Sequence, residues 1–551
     1  MRKLVGIVLA AGLASAACAQ PAPAPQPRTG VPRLVIAISV DQFSADLFDT
    51  YQSQYTGGLA RIASGTVFRN GYQAHAATET CPGHSTILTG SSPAHTGIIA
   101  NNWTDQSVAR PNKSIYCAED ERLAPPNPAA ADGTAGSYVP SPAHLRVQTL
   151  GDILKARSPQ SLNVAVAGKD RAAIMMGGHN VDQRWFWDGK TFVTDRTSRV
   201  PATITQANAA IASTIAVARP GLTPTPFCAA RATPFALSPT FTVGNGNFAR
   251  AAGDARRFRA SPEMDGTTLA IAASLIQELG LGADNAPDIL SIGLSATDYV
   301  GHSYGPGGQE MCLQMLSLDR DLGDFFRLLD SRQVDYAVVL TADHGSPDIP
   351  ERLRARGNAQ AVRADANLAT AAIGKAIGGR FQLSGPVLLG DLGGDVWIDK
   401  ALPAAARVQV EKAAVAYYRG HPQVEAVFTA RQIRALRFPT GSPDRWTIAD
   451  RVRASFDPQR SGDLYVVLKQ YVMPIPNPST GYAATHGSVW DYDRRVPIIF
   501  WRPGMRGSTR QEAISTTSIL PTLEAMLGLS GVPKVDGPCL ATVPNVACPA
   551  H

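Results

Sequence analysis

No two cysteines stand in CxxC spacing anywhere in the 551 residues, which argues against a cysteine-type zinc site. No run of Lys or Arg occurs either. The net charge of +6 is a mild excess spread along the chain, so no nucleic-acid partner is expected. At most that charge steers phosphate-like anions weakly. Beyond the first residues no segment is long and apolar enough to span a bilayer, which takes about 20 such residues. There is no internal repeat.

What is present begins with an export signal over residues 1–19. Arg2 and Lys3 are followed by the apolar run Leu4 to Leu13 and the small residues Ala17-Cys18-Ala19. Ser15 stands where lipoprotein signals want Leu, so Cys18 is not read as a lipid anchor. Residues 20–30, opening QPAPAPQPR, read as a Pro/Ala-rich linker. A periplasmic or secreted protein is expected, and a monomer. Removal of Cys18 would leave Cys81, Cys117, Cys228, Cys312, Cys539 and Cys548. An even set in an oxidising compartment suggests up to three disulfides. Cys539 with Cys548 is the preferred pair, because both lie in a Pro/Gly-rich tail with no other means of ordering itself.

The coarse pattern is α/β. Short apolar runs read as buried parallel strands at Leu34–Val40, Leu162–Ala167, Ile289–Leu294, Tyr336–Leu340 and Val496–Trp501. Helical patterns lie between them, as at Thr267–Leu279 and Met311–Leu329, while a helix at Ala404–Tyr418 falls outside the alternation. This predicts a sheet covered by helices on both faces. From 346 to 482 the alternation blurs, and this stretch reads as an inserted cap. The core would then comprise 31–345 and 483–551. Thr104 to His144 reads as a long excursion over the site.

Polar residues fall at the strand ends. Asp41, Lys169, Asp298 and Asp343 each follow a strand, and ligands of open α/β sheets bind beyond the carboxyl ends of strands. Asp343-His344 in VVLTADHG offers a carboxylate and an imidazole at one point; a capped turn is the plainer reading. Asp298 and His302 are four apart, so one helical turn would aim both at one ion; the alternative is a solvated acid beside a core histidine. His486 precedes the last core strand, and a lone histidine there is more often structural. Asp41 alone would usually be a helix cap. Together they make three Asp and three His, a set that suits two zinc ions about 4 Å apart holding the attacking and leaving oxygens of a phosphoryl displacement.

Thr80, in TETCPGHSTILTG, is the expected nucleophile. Its hydroxyl needs a metal to act as an alkoxide, and the helix that follows favours an anion at its start. A Thr capping that helix satisfies the sequence equally, and Cys81 is a rival nucleophile unless disulfide-bonded. Lys169 and Arg171 would point the same way from extended chain and could meet phosphoryl oxygens together; a surface K-x-R is the plain alternative. Asn101, in GIIANNW, could donate its amide to a third oxygen.

With these motifs in hand, the chain resembles the alkaline phosphatase superfamily, and within it the single-chain bacterial alkaline phosphatases that use Thr in place of Ser. Asp41, Thr80 in T-C-P-G-H, Asn101, Lys169-x-Arg171, Asp298-x-x-x-His302, Asp343-His344 and His486 run in family order. The resemblance implies a three-layer sandwich, with a central, mostly parallel sheet between helices. It implies that Asp41, Thr80, Asp343 and His344 hold one zinc, and that Asp298, His302 and His486 hold the other. Asn101, Lys169 and Arg171 would bind the transferred phosphoryl group of a small phosphate monoester. A further calcium ion stays open.

Nucleotide pyrophosphatases and phosphodiesterases share the Thr turn but commonly lack Lys-x-Arg, so two extra cations favour the more highly charged monoester. Sulfatases need an Arg that Cys81-Pro-Gly-His does not offer. A phosphodiesterase, or an inactive metal- or phosphate-binding relative, remains the alternative.

Overall fold

The computed structural model describes residues 30–123, 138–197, 199–530 and 533–549. The predicted export signal, the linker up to residue 29 and the stretch 124–137 of the predicted excursion lie outside them.

The sheet is built on Leu34–Val40 (β1), Thr66–Tyr72 (β2), Asn163–Ala167 (β3), Gln183–Trp187 (β4), Asp288–Leu294 (β5), Tyr336–Thr341 (β6) and Arg495–Trp501 (β7). The helices that frame it and its insertion are Thr80–Ile87 (α1), Leu150–Arg157 (α2), Asp170–Gly177 (α3), Pro262–Leu279 (α4), Ala296–Tyr304 (α5), Gln309–Ser331 (α6), Thr370–Phe381 (α7), Ala404–Gly420 (α8) and Ile519–Met526 (α9). The sequence LVIAISV of β1 is apolar to both sides because both sides are covered. Successive side chains of a strand face opposite ways. Leu34, Ile36, Ile38 and Val40 join the core layer that holds α4 and α6. Val35 and Ala37 join the layer under α2 and α9. These are the two helical layers of a three-layer α/β sandwich.

The strands run in the order β2-β7-β6-β1-β5-β3-β4, with short strands at both edges. The five from β6 to β4 are mutually parallel. The fifth predicted strand corrects the reading of an all-parallel set: β7 is antiparallel to β6 and to β2. Burial on both faces produces a continuous apolar run whichever way a strand points, so its direction leaves no mark in the sequence. Helices α4 and α6 begin earlier than their apolar periodicity suggests. The Ser261 hydroxyl accepts from Glu263 N–H at the start of α4, and Pro262 occupies its first turn.

Within 346–482 a second, four-stranded sheet forms in the order Leu388–Leu389, Gly394–Ile398, Leu464–Leu468, Val424–Thr429. Helices α7 and α8 cover one face of it. Tyr465 and Val467 on the other face pack with Ala76 and Val489 of the main body, which brings the insertion against the segment leading to Thr80. Among the described residues three disulfides are present, Cys81–Cys117, Cys228–Cys312 and the expected Cys539–Cys548. Among the described residues no helix is long and apolar enough to cross a membrane.

Candidate active site

Strand register sets the first group of residues. Ser39 of β1 pairs with Thr341 of β6, so Asp41 and Asp343, each two residues further on, emerge level from neighbouring strands. Neither carboxylate has measurable exposure. Asp41 is not a helix cap; Ser44 caps the helix that follows.

Helix α1 is pressed against this pair. A β-carbon on Gly83 would lie 2.0 Å from the Asp343 carbonyl oxygen, so the turn of TCPGH admits only glycine there. That approach carries His84 between the carboxylates. Its Nε2 is 3.3 Å from Asp41 Oδ1 and its Nδ1 is 3.3 Å from Asp343 Oδ2. Sequence reasoning missed His84. The signal was available, because Thr80 and His84 are four apart on one helix, the same spacing as Asp298 and His302.

Thr80 opens α1 without capping it. Glu79 is the N-cap residue, with no side-chain capping bond, and Thr80 Oγ1 is buried with no hydrogen-bond partner among the described residues. The turn is held from outside. Cys81 N–H donates to Asn101 Oδ1 at 2.8 Å, and Asn101 N–H donates to Glu79 Oε2 at 2.7 Å. Cys117 N–H donates to the Asn101 carbonyl at 2.9 Å. Cys81 is disulfide-bonded, which removes it as a rival nucleophile.

A second group forms around Asp298. His302 sits one turn along α5 with Nε2 3.4 Å from Asp298 Oδ1, and His486 Nε2 reaches the same oxygen at 3.4 Å. The ring of His344 stacks on that of His486 with centroids 3.5 Å apart, while His344 Nε2 stays 3.2 Å from Asp343 Oδ2. By mutual distance of ligand atoms, Asp298, His344 and His486 form one cluster and Asp41, His84 and Asp343 the other. His344, grouped by resemblance with Asp41 and Asp343, thus faces both clusters; adjacent residues leaving a strand point in different directions.

Four imidazoles share one arrangement. The Nδ1 atoms of His84, His302, His344 and His486 meet the carbonyl oxygens of Thr80, Ala484, Gly345 and Thr78 at 2.8–2.9 Å. A neutral ring that donates Nδ1–H to a carbonyl presents a bare Nε2, the usual support of a metal-ligating histidine, and a protonated ring would shed its Nε2 proton on binding a cation. Among the described residues both oxygens of Asp41, Asp343 Oδ2 and the Nε2 atoms of His84 and His344 lack any hydrogen bond. These atoms lie at ion-pair distance from one another or from Lys169 but without hydrogen bonds, and buried polar atoms that go without them are costly. Carboxylate oxygens and imidazole nitrogens without cysteine suit a zinc-type cation. The residues therefore fit a metal centre.

Electrostatics agree. Burial pushes Asp298 up, but His302, Lys169 and His486 outweigh it and hold the carboxyl well below its usual range. Burial likewise opposes ionisation of Asp343, and His344 and His84 overcome it. Burial pushes His486 down to about 3 and lowers His302, leaving neutral rings. His84 goes the other way: burial is outweighed by Asp343 and Asp41, which push it up to about 10. The Lys169 ammonium bonds Asp298 and lies 3.1 Å from Asp41 Oδ2. Cationic side chains here fill the space between acids that a metal ion would also neutralise.

Only Lys169 is in extended chain (φ −134°, ψ 140°), whereas Arg171 is helical, so the two side chains do not share an extended-strand alternation. Lys169 is the N-cap residue of α3, and Arg171 lies in its first turn. Arg171 and Asn101 line a cavity of about 1370 Å³ together with Asp298, His302 and His486. Arg171 is steadied by Tyr116, whose hydroxyl donates to Asp170 Oδ1 at 2.8 Å and accepts from Arg171 Nη1 at 3.5 Å. Asn101 Nδ2 has no acceptor among the described residues, its Oδ1 being taken by Cys81 N–H.

A family model described as type I phosphodiesterase / nucleotide pyrophosphatase matches residues 35–489, and the chain belongs to that family. It is 49% identical over 519 residues to the alkaline phosphatase PhoK of Sphingomonas sp, covering 93% of this chain and 91% of the relative. It is 46% identical over 525 residues to the alkaline phosphatase PhoD of Zymomonas mobilis subsp. mobilis, covering 94% and 89%. The crystal structure of wild-type alkaline phosphatase PafA superposes with a TM-score of 0.81 at 25% identity, over 94% of this chain and 100% of that one. Within the family the chain falls in the bacterial alkaline phosphatase branch.

Proposed function

We propose that the chain is an exported phosphomonoesterase that hydrolyses small phosphate monoesters at two zinc ions through a phosphothreonine on Thr80. The observation that carries this reading is the unpartnered hydroxyl of Thr80 at the start of α1, in a turn whose Thr80 and Thr78 carbonyls bond His84 and His486, one histidine from each group of buried carboxylates and imidazoles. Asp41, Asp343 and Thr80, with His84 or His344, would hold one ion, and Asp298, His302 and His486, with His344 within reach, the other. When bound, zinc would supply the positive charge that makes a threonine hydroxyl nucleophilic and a leaving oxygen stable.

The chain's own groups do the rest. Thr80 Oγ forms the bond to phosphorus as the ester oxygen leaves with the electron pair and takes up a proton. Water then forms the second bond to phosphorus, Thr80 regains its hydroxyl, and phosphate departs. Asn101 and Arg171 line the cavity, and the Asn101 amide and the Arg171 guanidinium would donate to non-bridging oxygens. Lys169 adds a second charge, and this excess of cations favours the monoester over a diester. Export is supported by residues 1–19 and by three disulfides, which belong to an oxidising compartment.

Purified protein stripped with chelator and refilled with zinc, assayed at alkaline pH on p-nitrophenyl phosphate and its bis-ester, tests the reading. Zinc-restored turnover strongly favouring the monoester is expected. Preference for the diester would refute the monoester assignment, and turnover insensitive to chelator would refute the metal requirement.

A further inference from the structure

Gln42 is the residue that nothing in the reaction calls for, and it is costly where it stands. Its φ is +65°, a conformation that disfavours any residue with a β-carbon. Its side chain is 2% exposed, and its Oε1 is buried without a hydrogen-bond partner among the described residues. Glycine would remove both penalties. Strain of this kind persists only where surrounding structure enforces it, and it gathers at functional sites.

What Gln42 does there is specific. Its backbone N–H donates to Asp343 Oδ1 at 3.0 Å, and its side-chain Nε2–H donates to Asp298 Oδ1 at 2.9 Å. One residue therefore grips a carboxylate from each of the two clusters. The left-handed backbone turns the N–H towards β6 while the side chain crosses to α5. Room for the amide is made on α5, where a β-carbon at Gly301 would fall 1.5 Å from Gln42 Oε1. The glycine in Asp298-Tyr-Val-Gly301-His302 is thus the socket for this side chain.

We propose that Gln42 is a positioning residue that fixes the rotation of the Asp298 and Asp343 carboxylates relative to each other, and so couples the two metal clusters. This rests on the two-zinc reading above. Outer hydrogen bonds to ligating carboxylates typically raise metal affinity by about 10–100-fold. Gln42→Gly retains the backbone donor to Asp343, suits the positive φ and removes only the donor to Asp298. Its effect should fall on one ion of the two.

The test is calorimetric titration of chelator-stripped protein with zinc, beside the thermal melt of the stripped protein. Wild type should take up two ions. Gln42→Gly should melt no lower than wild type, bind one ion normally and bind the other about 10–100-fold more weakly, with turnover recovering as zinc is raised. Gly301→Ala, which crowds the amide, should weaken the same ion. The double variant Gln42→Gly/Gly301→Ala should bind no worse than Gln42→Gly alone, because the crowded group is gone. Unchanged affinities for both ions in Gln42→Gly would overturn the positioning role. A stripped Gln42→Gly that melts well below wild type would also overturn it, making Gln42 a packing residue. If wild type itself takes up no zinc, the two-zinc reading falls and this inference falls with it.

Discussion

Replacing Asn101 separates two roles that one side chain combines. Asn101→Ala removes Oδ1, the acceptor for Cys81 N–H at 2.8 Å, and Cys81 is fully buried. An orphaned buried donor costs about 1–3 kcal/mol, so the variant should unfold measurably earlier in denaturant. It also removes Nδ2, the donor that the proposed reaction would use on the phosphoryl group. Loss of one donor to a developing anion lowers kcat by roughly 10²–10³-fold. Asn101→Asp keeps the acceptor and removes the donor. Its stability should lie closer to wild type than that of the alanine variant, yet its turnover should fall at least as far, because a second negative charge now faces the phosphoryl group. The assay is p-nitrophenyl phosphate turnover at saturating zinc, paired with guanidinium unfolding of the same preparations. Alanine and aspartate variants with equal stability would refute the turn-holding role. Turnover within a few-fold of wild type in both would refute the donor role.

Thr80→Ala should lower turnover by at least about 10³-fold while zinc content, read by metal analysis, stays largely intact, because Asp41, Asp343 and an imidazole would still hold that ion; Thr80→Ser should recover much of the activity. Asp319 of α6 accepts the N–H groups of Thr56, Gly57, Leu59 and Ala60 at 2.7–3.3 Å, so Asp319→Asn should destabilise by about 2–4 kcal/mol in denaturant unfolding, and an unchanged midpoint would contradict that network. Asp265 is pushed up to about 7 by burial, against the lowering effect of Ala296 N–H. A carboxyl raised above its unfolded value of 3.8 contributes stability at low pH that is lost as pH climbs from about 4 to 7. Asp265→Asn should flatten that part of the stability–pH curve, with the orphaned Gln314 Oε1 able to accept from the new amide; a curve that still falls by the wild-type amount would assign the titration elsewhere.

The strands that bear the site were legible because they are buried on both faces. LVIAISV, the run before Asp298 and the run before Asp343 admit few other readings, and the polar residue ending each stands out against them. Their register was not legible, since pairing Ser39 with Thr341 is a tertiary outcome, and neither was the reversed direction of β7. A K-x-R after a strand has no helical signature, so Lys169-x-Arg171 reads as extended chain throughout; only Lys169 is extended, α3 begins immediately after it, and its helical character shows only in the small and apolar residues that follow. His84 is hard to read in T-C-P-G-H because a histidine one turn into a helix meets Asp41 and Asp343 only once α1 packs against their strands. Gln42 left no signal at all: a glutamine after an aspartate is unremarkable until the chain folds and its positive φ meets the gap at Gly301. The Cys81–Cys117 and Cys228–Cys312 pairs required the fold, whereas Cys539 and Cys548 are close enough along the chain to be matched by proximity.

The bond from His486 to the carbonyl of Thr78 spans 408 residues. A ribosome adding about 5–20 residues per second needs on the order of 20–80 seconds to travel from one to the other. For most of that interval Asp41, Thr80 and Asn101 exist as chain, but His486, which closes the Asp298 cluster, has not been made. The Asp298 cluster therefore cannot be assembled before roughly the last tenth of the 551 residues is being made, when every other residue that lines it has long been waiting in the chain.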